Sequence, residues 1–408
     1  MPPTLRPLDD ALADLLSRAE PIPGIERVPT IDAAGRVLAA DQVSGIDVPS
    51  ADNTQMDGYA LRCADVPAPG ARLRVSQRIP AGHPGVALEP GTAARIFTGG
   101  FIPEGADAVV MQEQCQADGD AVIVTHRPTP GEWVRRRGED IRAGGIILTA
   151  GARLGPQAVG LAASVGLAEL PVRRRVRVGC FFTGDELVMP GEPLPPGAIY
   201  NSNRFVLVAL LRALGCEVTD LGIVPDSLEA TRAALREAGS RCDLVVTSGG
   251  MSVGEEDHVR PALEAEGELQ QWQLAIKPGK PLAWGRIRRA SAADGSAHFI
   301  GLPGNPVSSF VTFLLLVRPF VLRLQGVAAV APSARAMRAD FDWPRPDRRR
   351  EFLRARINAE GGLDLFPNQG SAVLTSTVWA DGLIDTPAAT PIHRGDTVRF
   401  LAFADLLA

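Results

Sequence analysis

Asp243-Leu-Val-Val-Thr-Ser-Gly-Gly250 is a short apolar run that ends in three small residues. A run of this length, rich in β-branched side chains, reads as a strand buried on both faces. The same design recurs on either side. Upstream, Val176-Arg-Val-Gly-Cys-Phe-Phe182 leads into Thr183-Gly-Asp-Glu-Leu187, a helical stretch over 202–214 and Val218-Thr-Asp-Leu-Gly-Ile-Val224. Pro225-Asp226 follows, then a helical stretch over 228–238 that returns to Asp243. Downstream, Phe299-Ile-Gly-Leu302 leads into Pro303-Gly-Asn-Pro306 and a long helix. Strand, loop and helix in alternation predict a doubly wound, mostly parallel α/β sheet, whose ligands bind beyond the carboxyl ends of the strands.

The flanks have other textures. Leu8, Leu12, Leu15 and Leu16 share one helical face between residues 8 and 20, and a little helix is expected over 33–39. Short alternating strands cut by Pro and Gly run from Asp52 to Arg137, and a helix with Pro156 at its start follows. Strand-and-turn texture resumes near Met337. The expected fold is multidomain α/β plus β. Residues 1–48 and 138–172 form an elongated N-terminal unit, interrupted by an inserted β domain at 49–137. The α/β domain takes 173–328, and a small β-barrel-like domain takes 329–408.

With 408 residues, 45% of them hydrophobic, 22% charged and a net charge of −5, the chain reads as a soluble protein. That charge argues against nucleic acid as a partner. The five cysteines form no C-x-x-C pair and read as reduced thiols in the cytoplasm. The N-terminus lacks a signal-peptide core, and the most apolar run, Phe310 to Val317, is expected to stop at Arg318-Pro319, short of a membrane span.

The loops carry the chemistry. Of 42 basic residues only Lys277 and Lys280 are lysine, three positions apart in one Pro-Gly turn. An ammonium is a compact point charge where guanidinium is a wide fork, so the turn reads as a tight oxyanion site. Asp185, Glu186, Asp226, Glu255 and Asp257 follow successive strands, beside Ser248-Gly-Gly250 and Ser252. Carboxylates, ammoniums and small residues at one sheet edge suit a hard divalent cation bridging phosphate. The helix opened by Asn305-Pro306 is expected to present free N–H groups there. No Walker A, G-x-G-x-x-G or Ser-His-Asp signature occurs, which sets aside P-loop, Rossmann and serine-hydrolase chemistry.

These stretches together resemble the molybdopterin molybdenumtransferase family, to which MoeA and the gephyrin E domain belong. The matching motifs are Met56-Asp-Gly-Tyr-Ala60, Ile96-Phe-Thr-Gly-Gly100, Arg137-Gly-Glu-Asp140, Thr183-Gly-Asp-Glu-Leu187 and Pro225-Asp226. Thr247-Ser-Gly-Gly-Met-Ser-Val-Gly254, Lys277-Pro-Gly-Lys-Pro281 and Leu302-Pro-Gly-Asn-Pro-Val-Ser308 complete the set, in the family's order. The resemblance implies a cytoplasmic homodimer that binds adenylylated molybdopterin and molybdate, places molybdenum on the dithiolene and releases AMP with a divalent cation, Mg2+. It implies catalytic roles for Asp57, Thr98, Asp140, Glu186, Asp226, Asp257, Lys277 and Lys280, the first three reaching in from the partner subunit. Glu186, Asp226 and Asp257 would hold the metal. Thr183, Gly184, Asp185, Ser248, Gly249, Gly250, Ser252 and Gly254 would bind the pterin nucleotide, as would Pro303, Gly304, Asn305, Pro306 and Ser308. The adenylyltransferase and downstream cofactor-handling proteins are the implied protein partners. Departures from the pattern are Thr54-Gln55, Phe182 and Met251, and Glu256 leaves the acidic ligand set open. The alternatives are the adenylyltransferase itself, which would continue Gly-Gly-Thr-Gly and lack the flanking domains, and a non-enzymatic scaffold of the same fold.

Overall fold

The structure, a computed structural model, describes residues 5–250, 258–290 and 295–407. At its centre are six strands: β1 (Arg177–Thr183), β2 (Glu217–Val224), β3 (Leu244–Ser248), β4 (Gly267–Gln273), β5 (Pro281–Arg288) and β6 (Ser296–Leu302). They lie in the order β2-β1-β3-β6-β5-β4. The first four run parallel, and β5 and β4 extend the sheet antiparallel.

Every residue of β3 is buried. Because side chains alternate along a strand, Leu244 and Val246 enter one core with Val178, Cys180 and Phe182, while Val245 joins Phe181 and Phe299 in the other. Helices α1 (Leu8–Ser17), α3 (Ser202–Ala213) and α6 (Pro306–Leu324) fill the first core, and α4 (Leu228–Arg241) and α5 (Val259–Glu266) the second. Side-chain caps start α3, where Asn201 accepts from the Arg204 N–H, and α4, where Ser227 accepts from the Ala230 N–H.

Two expectations shift. Helix α1, grouped above with the N-terminal unit, packs instead on the α/β domain through Leu8, Ala11 and Leu15. Arg318 ends the apolar run but not the helix, so the stretch is not short of a span: α6 continues to Leu324 and is long and apolar enough to cross a membrane, yet nearly all of it is buried inside the protein. The Arg318 guanidinium donates to the carbonyls of Leu406, Val330 and Asp405, so its charge is tolerated inside. A π-helical turn over Phe313–Val317 widens the helix just ahead of the Pro319 ring.

The N-terminal unit pairs Ile25–Pro29 with Glu169–Arg173 and Gln42–Val43 with Ile146–Leu148, with α2 (Pro156–Ser164) alongside. Residues 33–39 are not helical; a 3-10 turn at Thr30–Asp32 precedes bridges at Val37 and Leu38. Residues 53–135 contain a six-stranded mixed sheet. The C-terminal sheet (Arg335–Arg338, Arg350–Ile357, Leu363–Leu365, Gly382–Thr386, Thr397–Ala402) takes one further strand, Ile276–Lys277, from the turn between β4 and β5.

His298 in β6 packs edge-on against Phe320 at 5.0 Å, with its Nδ1 unpartnered among the described residues. Burial holds its pKa down at about 4, below its unfolded value. As pH falls, the unfolded chain takes up this proton first, so the stability present near neutrality is lost between the unfolded pKa and about 4. His298→Phe should flatten the acid limb by about 2 kcal/mol between pH 7 and pH 5. Urea midpoints at the two pH values measure this, and an unchanged slope would show that the imidazole titrates alike in the folded and unfolded chain.

Candidate active site

Connections leave β1 and β3 in opposite directions, β1 toward β2 and β3 toward the far half of the sheet. Such a switch point opens a crevice beyond the strand ends. Here it is a pocket of about 590 Å³, with Thr183 and Glu186 on one side, Ser248 and Gly249 in the middle, and Gly304, Asn305 and Pro306 opposite. Tyr200, Asn201, Asn203 and Ala372 complete much of the wall.

Close backbone approach shapes this crevice. A Cβ on Gly249, at φ +92°, would come within 2.9 Å of the Thr183 carbonyl, so the ends of β1 and β3 meet only with glycine there. Gly184 has φ +142°, and a Cβ on it would meet the Glu186 carboxylate, which folds back over it. The Asn203 amide spans the gap, donating to Ser248 Oγ at 2.9 Å and the Gly304 carbonyl at 2.7 Å, and so ties the β3 loop to the β6 loop. Thr183 Oγ1 and Asn201 Nδ2 are buried with no hydrogen-bond partner among the described residues. Both residues line the pocket. Unsatisfied polar groups at a crevice wall are what a polar ligand would complete.

The lysine turn shares this edge. Gln273 pairs with Pro281, and Ala283 with Gly301, so residues 274–280 emerge beside the end of β6. Lys280 is exposed. Lys277 is not a free ammonium: its Nζ lies 3.2 Å from Glu351 Oε1 and 3.4 Å from Asp347 Oδ2 of the C-terminal domain. Hydrogen bonds from Arg349 hold the Asp347 carboxyl far below the usual carboxylate range. The start of α6 is also partly covered, since the Val307 N–H donates to the Ser371 carbonyl.

The other expected residues fall into groups. Gly250 stands beside Thr183 and Val259, Pro303 and Ser308 are buried, and Asp185 is exposed. Asp226 is half-buried after β2. Ser252, Gly254 and Asp257 lie outside the described residues. Among the described residues no group of three or more His, Cys, Asp or Glu could hold a metal. Asp57 accepts from the Thr98 N–H at 2.8 Å and Thr98 Oγ1 at 2.7 Å, and these bonds lower its pKa. Asp140 is exposed, and its N–H donates to the Val48 carbonyl. None of these hydrogen bonds reaches the α/β domain.

The candidate site residues read from the sequence leave out Asn201, Asn203 and Ala372. Asparagine is rare here, with six in the chain, and one in the first turn of a helix behind a loop was a usable signal. Ala372 carried none, because it enters only through the docking of the C-terminal domain.

Three family descriptions match: "MoeA N-terminal region (domain I and II)" over residues 6–166, "Probable molybdopterin binding domain" over 179–323 and "MoeA C-terminal region (domain IV)" over 336–403. The chain is 44% identical over 321 residues to a molybdopterin molybdenumtransferase of Haemophilus influenzae, covering 78% of each chain. It is 35% identical over 388 residues to molybdopterin molybdenumtransferase 2 of Mycobacterium tuberculosis, covering 92% of this chain and 93% of the relative. The crystal structure of a molybdopterin biosynthesis MoeA protein from Pyrococcus horikoshii OT3 superposes with a TM-score of 0.84 at 29% identity, over 98% of this chain and 100% of that one.

Asn203→Ala should leave the fold intact while loosening the edge. Amide exchange at Gly249 and Asn305 should accelerate by about tenfold, the equivalent of one lost hydrogen bond. Exchange at the wild-type rate would show that the strand ends hold each other without Asn203.

Proposed function

The chain belongs to the molybdopterin molybdenumtransferase family and is a transferase of molybdenum cofactor biosynthesis, and from that premise we propose how its pocket and loops perform the transfer. The observation that carries the reading is the glycine-lined crevice with its two unsatisfied polar groups, Thr183 Oγ1 and Asn201 Nδ2. Adenylylated molybdopterin lies across the switch point, its phosphates against Ser248 and the Gly249-Gly250 backbone, where no glycine Cβ intervenes. Thr183, Gly184 and Asp185 contact it from β1, Ser252 and Gly254 from the β3 loop. Pro303, Gly304, Asn305, Pro306 and Ser308 contact it from β6. The lysine turn supplies positive charge toward phosphate or molybdate oxygens. Molybdenum is passed to the dithiolene, and AMP is released.

A divalent cation fits the donor chemistry at one position. The Glu186 carboxylate stands at the pocket wall with no ion-pair partner among the described residues. Beside a polyphosphate such a charge would repel the substrate unless neutralised. Asp226 and Asp257 are the other ligands in this reading, and Mg2+ is the proposed ion. When bound it would offset phosphate charge as AMP departs.

A second copy completes the site. Asp57, Thr98 and Asp140 belong to parts of the chain whose polar bonds are local, and in this reading they act at the partner's crevice. The N-terminal unit supports a dimer: Val43 and Ile146 face each other across a strand pair, 48% and 58% exposed, with Ile46 nearby at 46%. The protein works in the cytoplasm, between the adenylyltransferase that supplies its substrate and the proteins that accept its product.

Two outcomes follow. Asp57→Asn and Asp226→Ala should each be inactive, and mixing them should restore about one quarter of wild-type activity, since half the dimers are mixed and each keeps one intact site. No recovery despite demonstrated subunit exchange would place the whole site in one chain. EDTA should stop AMP release and Mg2+ restore it, while Glu186→Gln should still bind the pterin nucleotide but turn over on the order of 10²-fold more slowly. Full turnover by metal-free protein would remove the cation from the reading.

A further inference from the structure

Glu351 is 1% exposed in the strand Arg350–Ile357 of the C-terminal domain. Its Oε2 accepts from Trp343 Nε1 at 2.9 Å and from the Asp347 N–H at 2.8 Å. That leaves Oε1, which among the described residues has no hydrogen-bond partner apart from its ion pair with the Lys277 ammonium, 3.2 Å away. Asp347 Oδ2 stands on the same ammonium at 3.4 Å. The backbone repeats the connection: Ile276 and Lys277 pair with Arg350 and Glu351, the Arg350 N–H donates to the Ala275 carbonyl, and Arg349 Nη1 to the Ile276 carbonyl. On its other side the turn presses on α6, where a Cβ at Gly279 would collide with Thr312 Oγ1. Lys280 closes the turn, its carbonyl accepting from the Leu274 N–H, and leaves its side chain exposed at the edge.

We propose that Glu351 is a positioning residue for the transfer: it clamps Lys277, which thereby fixes the turn on the C-terminal domain and leaves Lys280 as the ammonium presented to substrate oxyanions. The two lysines then divide the work, one as an anchor and one as a contact. This also explains why 277 is not arginine. A single open carboxylate oxygen beside a second carboxylate accepts a point cation, whereas a planar fork needs paired acceptors and more width. A buried Glu351 would in turn be left uncompensated without Lys277, so neither partner is replaceable alone.

The proposal rests on the lysine turn being part of the transferase site, and two readouts separate the two claims. The first needs no activity. Because the chain has two lysines, limited acylation of the full-length protein followed by peptide mass spectrometry reports each one. Lys280 should react on the order of tenfold faster than Lys277, and Glu351→Gln should raise the Lys277 rate to that of Lys280 without altering Lys280. Equal rates in the wild type, or no change in the variant, would overturn the clamp. The second readout is AMP release. Glu351→Gln and Lys277→Met should each lower kcat by about tenfold, with KM for adenylylated molybdopterin within about twofold of wild type, as for a misplaced catalytic group. The double variant should be no slower than Lys277→Met alone, and additive losses would also overturn the clamp. If Glu351→Gln fails to fold, Trp343→Phe keeps the charge but frees the carboxylate, and Lys277 acylation should still rise. A wild-type protein that releases no AMP but shows the acylation difference would sink the functional reading and leave the clamp standing.

Discussion

Strands covered on both faces leave one place for chemistry. Residues of β3 are buried on both sides, and the two cores cover most of β1 and β6 beside it. Polar work is therefore confined to the line where these strands end and their backbone groups must find partners. The glycines at 184, 249 and 250, the Asn203 bridge and the unpartnered Thr183 and Asn201 atoms all lie along that line. Helix α6 serves the same constraint from within, since filling the larger core takes nineteen apolar-rich residues, buried arginine included.

What could be read ahead of the structure followed from local physics. The run Asp243 to Gly250 announces its own burial, and the alternation around it predicts the parallel order of β1, β2, β3 and β6. Pro156 and Pro306 at helix starts act within one turn of themselves. The missed features are non-local. Arg318 looked like the end of the buried apolar stretch because its acceptors, the carbonyls of Val330, Asp405 and Leu406, come from the following segment and the far terminus. Helix α1 looked like part of the N-terminal unit because its amphipathic face names no partner. Amphipathicity says that a face is covered, never by what.

The site shows the same division. Composition and order single out candidates for chemistry, namely the pair of lysines, the post-strand carboxylates and the small residues beside them. How they are deployed is not visible there. Asp57 and Thr98 bond each other, and nothing in their spacing from the α/β loops announces that pairing. Lys277 read as an open ammonium because the carboxylates that hold it lie 70 and 74 positions further on, as Asp347 and Glu351.

That distance changes the standing of the C-terminal domain. If it were a passive appendage, its edge strand would be exposed and its strand Arg350–Ile357 would need no contact with the nucleotide edge. Instead the edge is occupied by two residues of the lysine turn, and Ser371 and Ala372 reach the start of α6. Such contacts join the domains where the substrate would sit, away from any flexible linker, so motion of the C-terminal domain must alter the pocket directly. Two anchoring regions hold that domain in place: the Ser371 carbonyl at Val307 beside the crevice, and Lys277 with its two carboxylates in the neighbouring turn. Loss of either would change the shape of that edge before it changed the fold, because the α/β cores on which overall stability depends lie behind both.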